Sequence, residues 1–211
     1  MSSTENSEAN DTLAASLAGG DASNLFSVID RDNVHGLNLA VPEHAKELIK
    51  PWSERESTEM YADSGVDDQI IIHVPFTENV RLRSIVLKLG RGELAPRHLR
   101  IFANHSTIID FADAETTKSQ LDISLLEGEA GIVEYPLRVA AFASVHSLSL
   151  FFNEAVGEDV TRVYYIGFKG DVRSSKQAIN SMLDVPAPNT GDARLVDRLR
   201  EGAAGQQTTA R

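Results

Sequence analysis

From Gln69 to Leu89 the chain alternates apolar and polar residues with a period of two, and the alternation changes phase once. Ile70, Ile72, Val74 and Phe76 fall on one side of an extended backbone, while Gln69, His73 and Thr77 fall on the other. Val80 and Leu82 share one phase; Ile85, Leu87 and Leu89 take the opposite one. A slip of one residue turns every later side chain to the other face. The flip near Arg83-Ser84 therefore predicts a β-bulge, or a strand that crosses between two sheets. Glu78-Asn79 is expected to form a tight turn between two strands.

More strands are predicted at His98–Asn104, near Leu121–Leu125, at Gly131–Leu137, at Ser147–Phe152 and at Val160–Lys169. In Ser147–Phe152, Leu148, Leu150 and Phe152 alternate with serines. Val160–Lys169 carries apolar residues on both phases, as a central strand does. Several short strands separated by turns predict an all-β sandwich of jelly-roll type. Short helical turns are expected before the strands. Asn24 is placed to cap Leu25–Ile29, and Pro42–Ile49 is stopped before Pro51, since the residue preceding proline avoids the helical region. DRDNVHGLN, Asp30–Asn38, reads as a loop. Asp63, Asp67 and Asp68 are expected to cap the start of the first long strand.

The ends of the chain read differently. Residues 1–24 are rich in Ser, Asn, Glu, Ala and Gly and contain no Lys or Arg; residues 177–211 are similarly poor in core-forming side chains. Both are predicted to be disordered tails flanking one domain over 25–176, because they bury too little to offset the entropy of ordering. Leu195, Val196 and Leu199 sit at helical spacing within the second tail, a short helix over 193–200. The first residues lack the basic and apolar regions of a signal peptide, and no stretch has the length of a membrane span, so a cytoplasmic and nuclear protein is expected, with no membrane contact.

The formal net charge of −11 opposes binding to a phosphate backbone, and no nucleic-acid partner is expected. The chain has no cysteine, which excludes a disulfide framework, a thiol nucleophile and a cysteine-ligated metal. The six histidines lack the one-residue spacing that β-barrel metalloenzymes use on a strand. His73 points away from the apolar side of its own strand and reads as a surface or rim residue. Asp30, Asp32, Asn33 and His35 form an oxygen-rich loop without the twelve-residue pattern of a calcium site, so turn capping is the expected role. No nucleophile elbow, Walker loop or dinucleotide fingerprint is present. Neither a catalytic residue nor a cofactor or metal is expected. Trp52, the only tryptophan, suits either an interface anchor or a core plug.

Several motifs occur in one order: DRDNVHGLN (Asp30–Asn38), LIKPWSER (Leu48–Arg55), DDQIIIHVPFTENVRLRSIVLK (Asp67–Lys88), LRIFAN with IIDFAD (Leu99–Asp113), VEYPLRVAAFASVHSLSLFF (Val133–Phe152) and DVTRVYYIGFKGD (Asp159–Asp171). Together they resemble the PITH domain, a name abbreviating proteasome-interacting thioredoxin. The resemblance implies a jelly-roll sandwich similar to the Doc domain and to galactose-binding-like folds. In thioredoxin-like members the domain follows a catalytic thioredoxin domain and attaches it to the proteasome regulatory particle. The present chain has no C-x-x-C and is similar to stand-alone PITH domain-containing proteins.

The function expected on these grounds is that of a monomeric, non-enzymatic protein-interaction module associated with the proteasome regulatory particle. Its contact surface is expected at two loops, through Asp30, Asn33, His35, Trp52 and Arg55. The alternative is a jelly roll that binds a small ligand or carbohydrate at its loop rim.

Overall fold

The computed structural model describes residues 23–105 and 108–173. The predicted disorder of residues 1–22 and 177–211, and the short helix over 193–200, lie outside the described residues. Among the described residues eight strands are formed: β1 (His35–Leu37), β2 (Ala62–Asp63), β3 (Ile70–Leu89), β4 (Pro96–Ala103), β5 (Leu121–Ser124), β6 (Val133–Pro136), β7 (Val145–Ala155) and β8 (Arg162–Val172). Two short helices join them, α1 (His44–Glu47) and α2 (Phe111–Thr116). All strand pairs are antiparallel.

The 20-residue β3 organises the fold because its two halves pair with different partners. Its first half lies between β1 and β7, and β7 leads on to β4 and β5. Its second half lies between β6 and β8, and β8 leads on to β2. The result is two layers that share one strand. Ile70, Ile72, Val74, Leu148, Leu150 and Phe152 of the first layer join Ile85, Leu87, Ile166 and Phe168 of the second in one buried core. Each such side chain contributes about 1.5–3 kcal/mol when fully buried.

The phase change near Arg83-Ser84 is a bulge. Leu82 pairs with Gly170 and Ser84 with Lys169, so Arg83 is passed over. This extra residue keeps both Leu82 and Ile85 in the core. The expected turn at Glu78-Asn79 is not formed. The chain stays extended from Pro75 to Val80 while its pairing with β7 slips. Neither residue takes the positive φ of a hairpin turn, and Asn79 Nδ2 instead donates to Ser144 Oγ across the gap (2.8 Å). The Asp30–Asn38 stretch is also more than a loop: its last residues form β1 on the free edge of β3. Three residues are too few to show an alternation in sequence.

The first helical turn is a 3₁₀ turn, Phe26–Val28, with the Phe26 amide donating to Asn24 Oδ1 (2.8 Å). Ser23, one residue before this cap, is also fastened to the sheet, since the Gly170 amide donates to its carbonyl. A second, smaller core lies on the outer side of the first layer. Ile71, Phe102, Ile109, Ala114 and Phe151 are buried there under α2, whose first turn is capped by Asp110 accepting from the Asp113 amide (2.8 Å).

Candidate functional site

The outward residues of β3 and β8 in the second layer are Ser84, Val86 and Lys88 opposite Lys169, Gly167 and Tyr165. The segment after α1 covers part of this face. Lys50 anchors that segment: its buried ammonium donates to the carbonyls of Met60 (2.7 Å), Tyr164 (3.0 Å) and Ser57 (3.4 Å). Burial pushes the Lys50 pKa down. Lys88, also buried, reaches Glu56 through both the carbonyl and the carboxylate, each at 2.7 Å. The segment Lys50–Glu56 is thus tied to the sheet at both ends.

Between those ties a 3₁₀ turn, Trp52–Glu54, holds Trp52 half-buried. The Arg55 guanidinium lies over the ring, 4.4 Å from its centroid, and donates to the Trp52 carbonyl (2.7 Å). Lys169 Nζ lies 5.0 Å from the same centroid. Lys169 in turn donates to Glu134 Oε2 (2.6 Å), and Ser84 Oγ donates to Glu134 Oε1 (2.5 Å). Burial pushes the Glu134 carboxyl up, but the bonds from Lys169 and Ser84 outweigh it and hold the pKa below the usual value. The exposed pair Arg83–Asp171 (2.7 Å) borders this patch. Trp52 is thus half-buried on the outer face of the second layer, with two cations within 5.0 Å of its ring centroid.

The other three candidates form a separate group. Asn33 Nδ2 donates to Asp30 Oδ2 (2.7 Å), and His35 Nδ1 donates to the Asn33 carbonyl (2.9 Å). This group is fastened to the first layer, where the Asp30 amide donates to the Pro75 carbonyl and His35 pairs with His73. None of the described contacts joins it directly to Trp52 or Arg55. His73 does face away from the main core, as expected, but its face is a packed one. It is half-buried against Ser149 and His35, and burial, followed by the His35 charge, holds its pKa at about 4. Of the three aspartates expected to cap the start of β3, Asp67 does so by accepting from the Gln69 amide (3.1 Å). Asp68 instead accepts from Ala155, and Asp63 forms a bidentate pair with Arg162.

Sequence reasoning passed over Lys169 and Glu134, which complete the Trp52 patch. The signal available was Lys169 itself, the one cation that shares a phase with Tyr165 and Gly167 along β8. It also passed over Arg162, which lies 4.0 Å from the Tyr61 ring centroid while paired to Asp63. Among the described residues, no group of three or more His, Cys, Asp or Glu is placed to hold a metal ion, and no helix is long and apolar enough to cross a membrane.

Residues 15–187 match the family model described as the PITH domain. The chain belongs to the PITH domain family. PITH domain-containing protein CG6153 of Drosophila melanogaster is 35% identical over 147 residues, which is 70% of this chain and 69% of the relative. Human PITH domain-containing protein 1 is 30% identical over 147 residues, with the same two shares. Among solved structures, CBM32-3 from a family 31 glycoside hydrolase of Clostridium perfringens superposes with a TM-score of 0.51 at 11% identity, covering 72% of this chain and 98% of that one. This PITH domain thus has the galactose-binding-like jelly-roll sandwich, and the likeness to the carbohydrate-binding module is one of fold.

Proposed function

We propose that this PITH domain is a non-enzymatic protein-interaction module whose contact surface is the outer face of its second layer, centred on Trp52, Arg55 and Lys169. The observation that carries the reading is the Trp52 ring held under two cations on a face braced by Lys50 and Lys88. Tryptophan and arginine dominate binding energy at protein interfaces, and a pre-ordered pair loses less entropy on docking. The partner we assign is the proteasome regulatory particle, met by the monomeric domain in the cytoplasm and nucleus. Asp30, Asn33 and His35 belong to the opposite layer and are not part of this surface.

Affinity capture from native lysate, read by quantitative mass spectrometry, tests the reading. The wild-type chain should enrich regulatory-particle subunits, and the double variant Trp52→Ala/Arg55→Ala should lose them while keeping its melting temperature. Absence of every proteasome subunit from the wild-type capture would remove that partner. Unchanged capture by the double variant would move the surface elsewhere.

A further inference from the structure

Strand register on the outer side of the first layer places four side chains in one row. His35 on β1 is opposite His73 on β3, His73 is opposite Ser149 on β7, and Ser149 is opposite Phe102 on β4. The two imidazole rings lie 4.9 Å apart between centroids, tilted by 36°. The row adjoins the small core under α2, so one side of it is dry.

Hydrogen bonding settles which nitrogens are free. His35 Nδ1 meets the Asn33 carbonyl at 2.9 Å, and a carbonyl only accepts, so the His35 proton sits on Nδ1. In the neutral ring, the form that ligates a metal, Nε2 then bears a bare lone pair. That nitrogen is buried and has no hydrogen-bond partner. An orphaned buried acceptor costs on the order of 1–3 kcal/mol, so its retention calls for an occupant. His73 has its own Nδ1 engaged, 3.1 Å from Ser149 Oγ, and no described hydrogen bond occupies its Nε2. Both rings are therefore oriented through Nδ1. This is the support that metal-binding histidines receive, where the second ring nitrogen is held by a carbonyl or another polar group.

The centroid spacing, which is that of neighbouring strands, leaves room for a shared ion. A divalent ion bound about 2.0–2.1 Å from two imidazole nitrogens at a tetrahedral angle places the ring centroids about 5 Å apart. No third His, Cys, Asp or Glu joins the pair among the described residues, so the described protein ligands are the two imidazoles. Two imidazoles suit zinc, copper or nickel; magnesium and calcium require oxygen ligands that are absent from this pair. Serine chemistry is a poorer reading of the same row, because Ser149 is only 2% exposed and unreachable by a substrate.

We infer that His35 and His73 form a two-histidine site for a divalent transition-metal ion, coordinated through their Nε2 atoms. The site is independent of the Trp52 surface, which lies on the other layer.

The full chain, stripped with chelator, should be titrated with Zn²⁺ by calorimetry and with Cu²⁺ by electron paramagnetic resonance. The expected result is one ion per chain, with hyperfine coupling to two imidazole nitrogens. His35→Asn and His73→Gln should each weaken binding by about tenfold or more, the loss that even removal of a supporting hydrogen bond produces. His146→Asn, at an exposed histidine, should change nothing. Since His73→Gln could unfold the domain, long-range ¹H–¹⁵N spectra of the wild-type imidazoles provide a second readout, in which Zn²⁺ should move Nε2 of His35 and His73 together. No binding, unmoved Nε2 resonances, or binding that survives the His35→Asn/His73→Gln double variant would overturn the assignment.

Discussion

The ring of Tyr165 lies across Gly167, two residues further along β8 on the same outer face, so that a methyl group built on Gly167 would come within 2.7 Å of Tyr165 Cζ and 2.8 Å of Cε1. Tyr165 is fully buried, and burial pushes its phenol pKa up although a bond from Asn24 opposes the shift. The ring has no room to step aside. Gly167→Ala should therefore destabilise the domain by about 1–3 kcal/mol, the usual cost of overpacking. Urea denaturation would show this as a lower midpoint with an unchanged slope. Adding Tyr165→Leu, which removes the clashing end of the ring, should recover part of the midpoint.

Asn38 has a positive φ of 57°, and its side chain organises the loop before β3. Its Oδ1 accepts from the Val66 amide (2.9 Å), and its Nδ2 donates to Asp67 Oδ1 (2.6 Å) and the Gln69 carbonyl (2.7 Å). Asn38→Ala loses these bonds and adds backbone strain, for an expected loss of about 2–3 kcal/mol. Asn38→Gly loses the bonds alone and should be less costly by about 1 kcal/mol. Thermal melts of the two variants separate the contributions; equal losses would mean that the strain term is negligible.

Trp52→Ala should lower stability only slightly. Its ring is half-buried, and partly exposed cation–π contacts contribute about 0.5–1 kcal/mol each. Calorimetry is expected to give a small shift in melting temperature together with loss of partner capture. A large drop in melting temperature would show instead that the ring holds the Lys50–Glu56 segment in place.

The hydrogen bond from Lys88 holds the Glu56 pKa below its ordinary value of 4.5, against an opposing effect of burial. The unfolded chain then binds a proton more readily than the folded one as pH falls below 4.5. The Glu56 contribution is present above that pH and is lost as pH falls through the lower, folded value. Because the Glu56 side chain is 52% exposed, the contribution is expected to be no more than about 1 kcal/mol. Stability curves of wild type and Glu56→Gln should differ at pH 6 and converge toward pH 3. A difference that persists at low pH would assign the loss to the geometry of the amide rather than to the charge.

Much of the fold was legible along the chain. Alternation located most of the strands, and the change of phase located the bulge at Arg83, because period two is a local property of an extended backbone facing a core. The miss at Glu78-Asn79 has a local cause as well: polar residues between two apolar runs look like a turn whether the chain reverses or merely slips register. β1 escaped notice because its three residues are a strand only by virtue of the free edge of β3.

Sequence by itself determined the all-β class, the bulge, the capped first turn and the absence of cysteine chemistry. Tertiary structure decided which candidates meet. His35 and His73 are 38 positions apart, and only antiparallel pairing at one register brings their rings together. Trp52 and Lys169 are further apart still, and they meet because the buried Lys50 and Lys88 tie the intervening segment onto β8 and β3. Periodicity reports the face on which a side chain lies. Its neighbour on that face depends on strand order and register, which are set by the packing of the whole core.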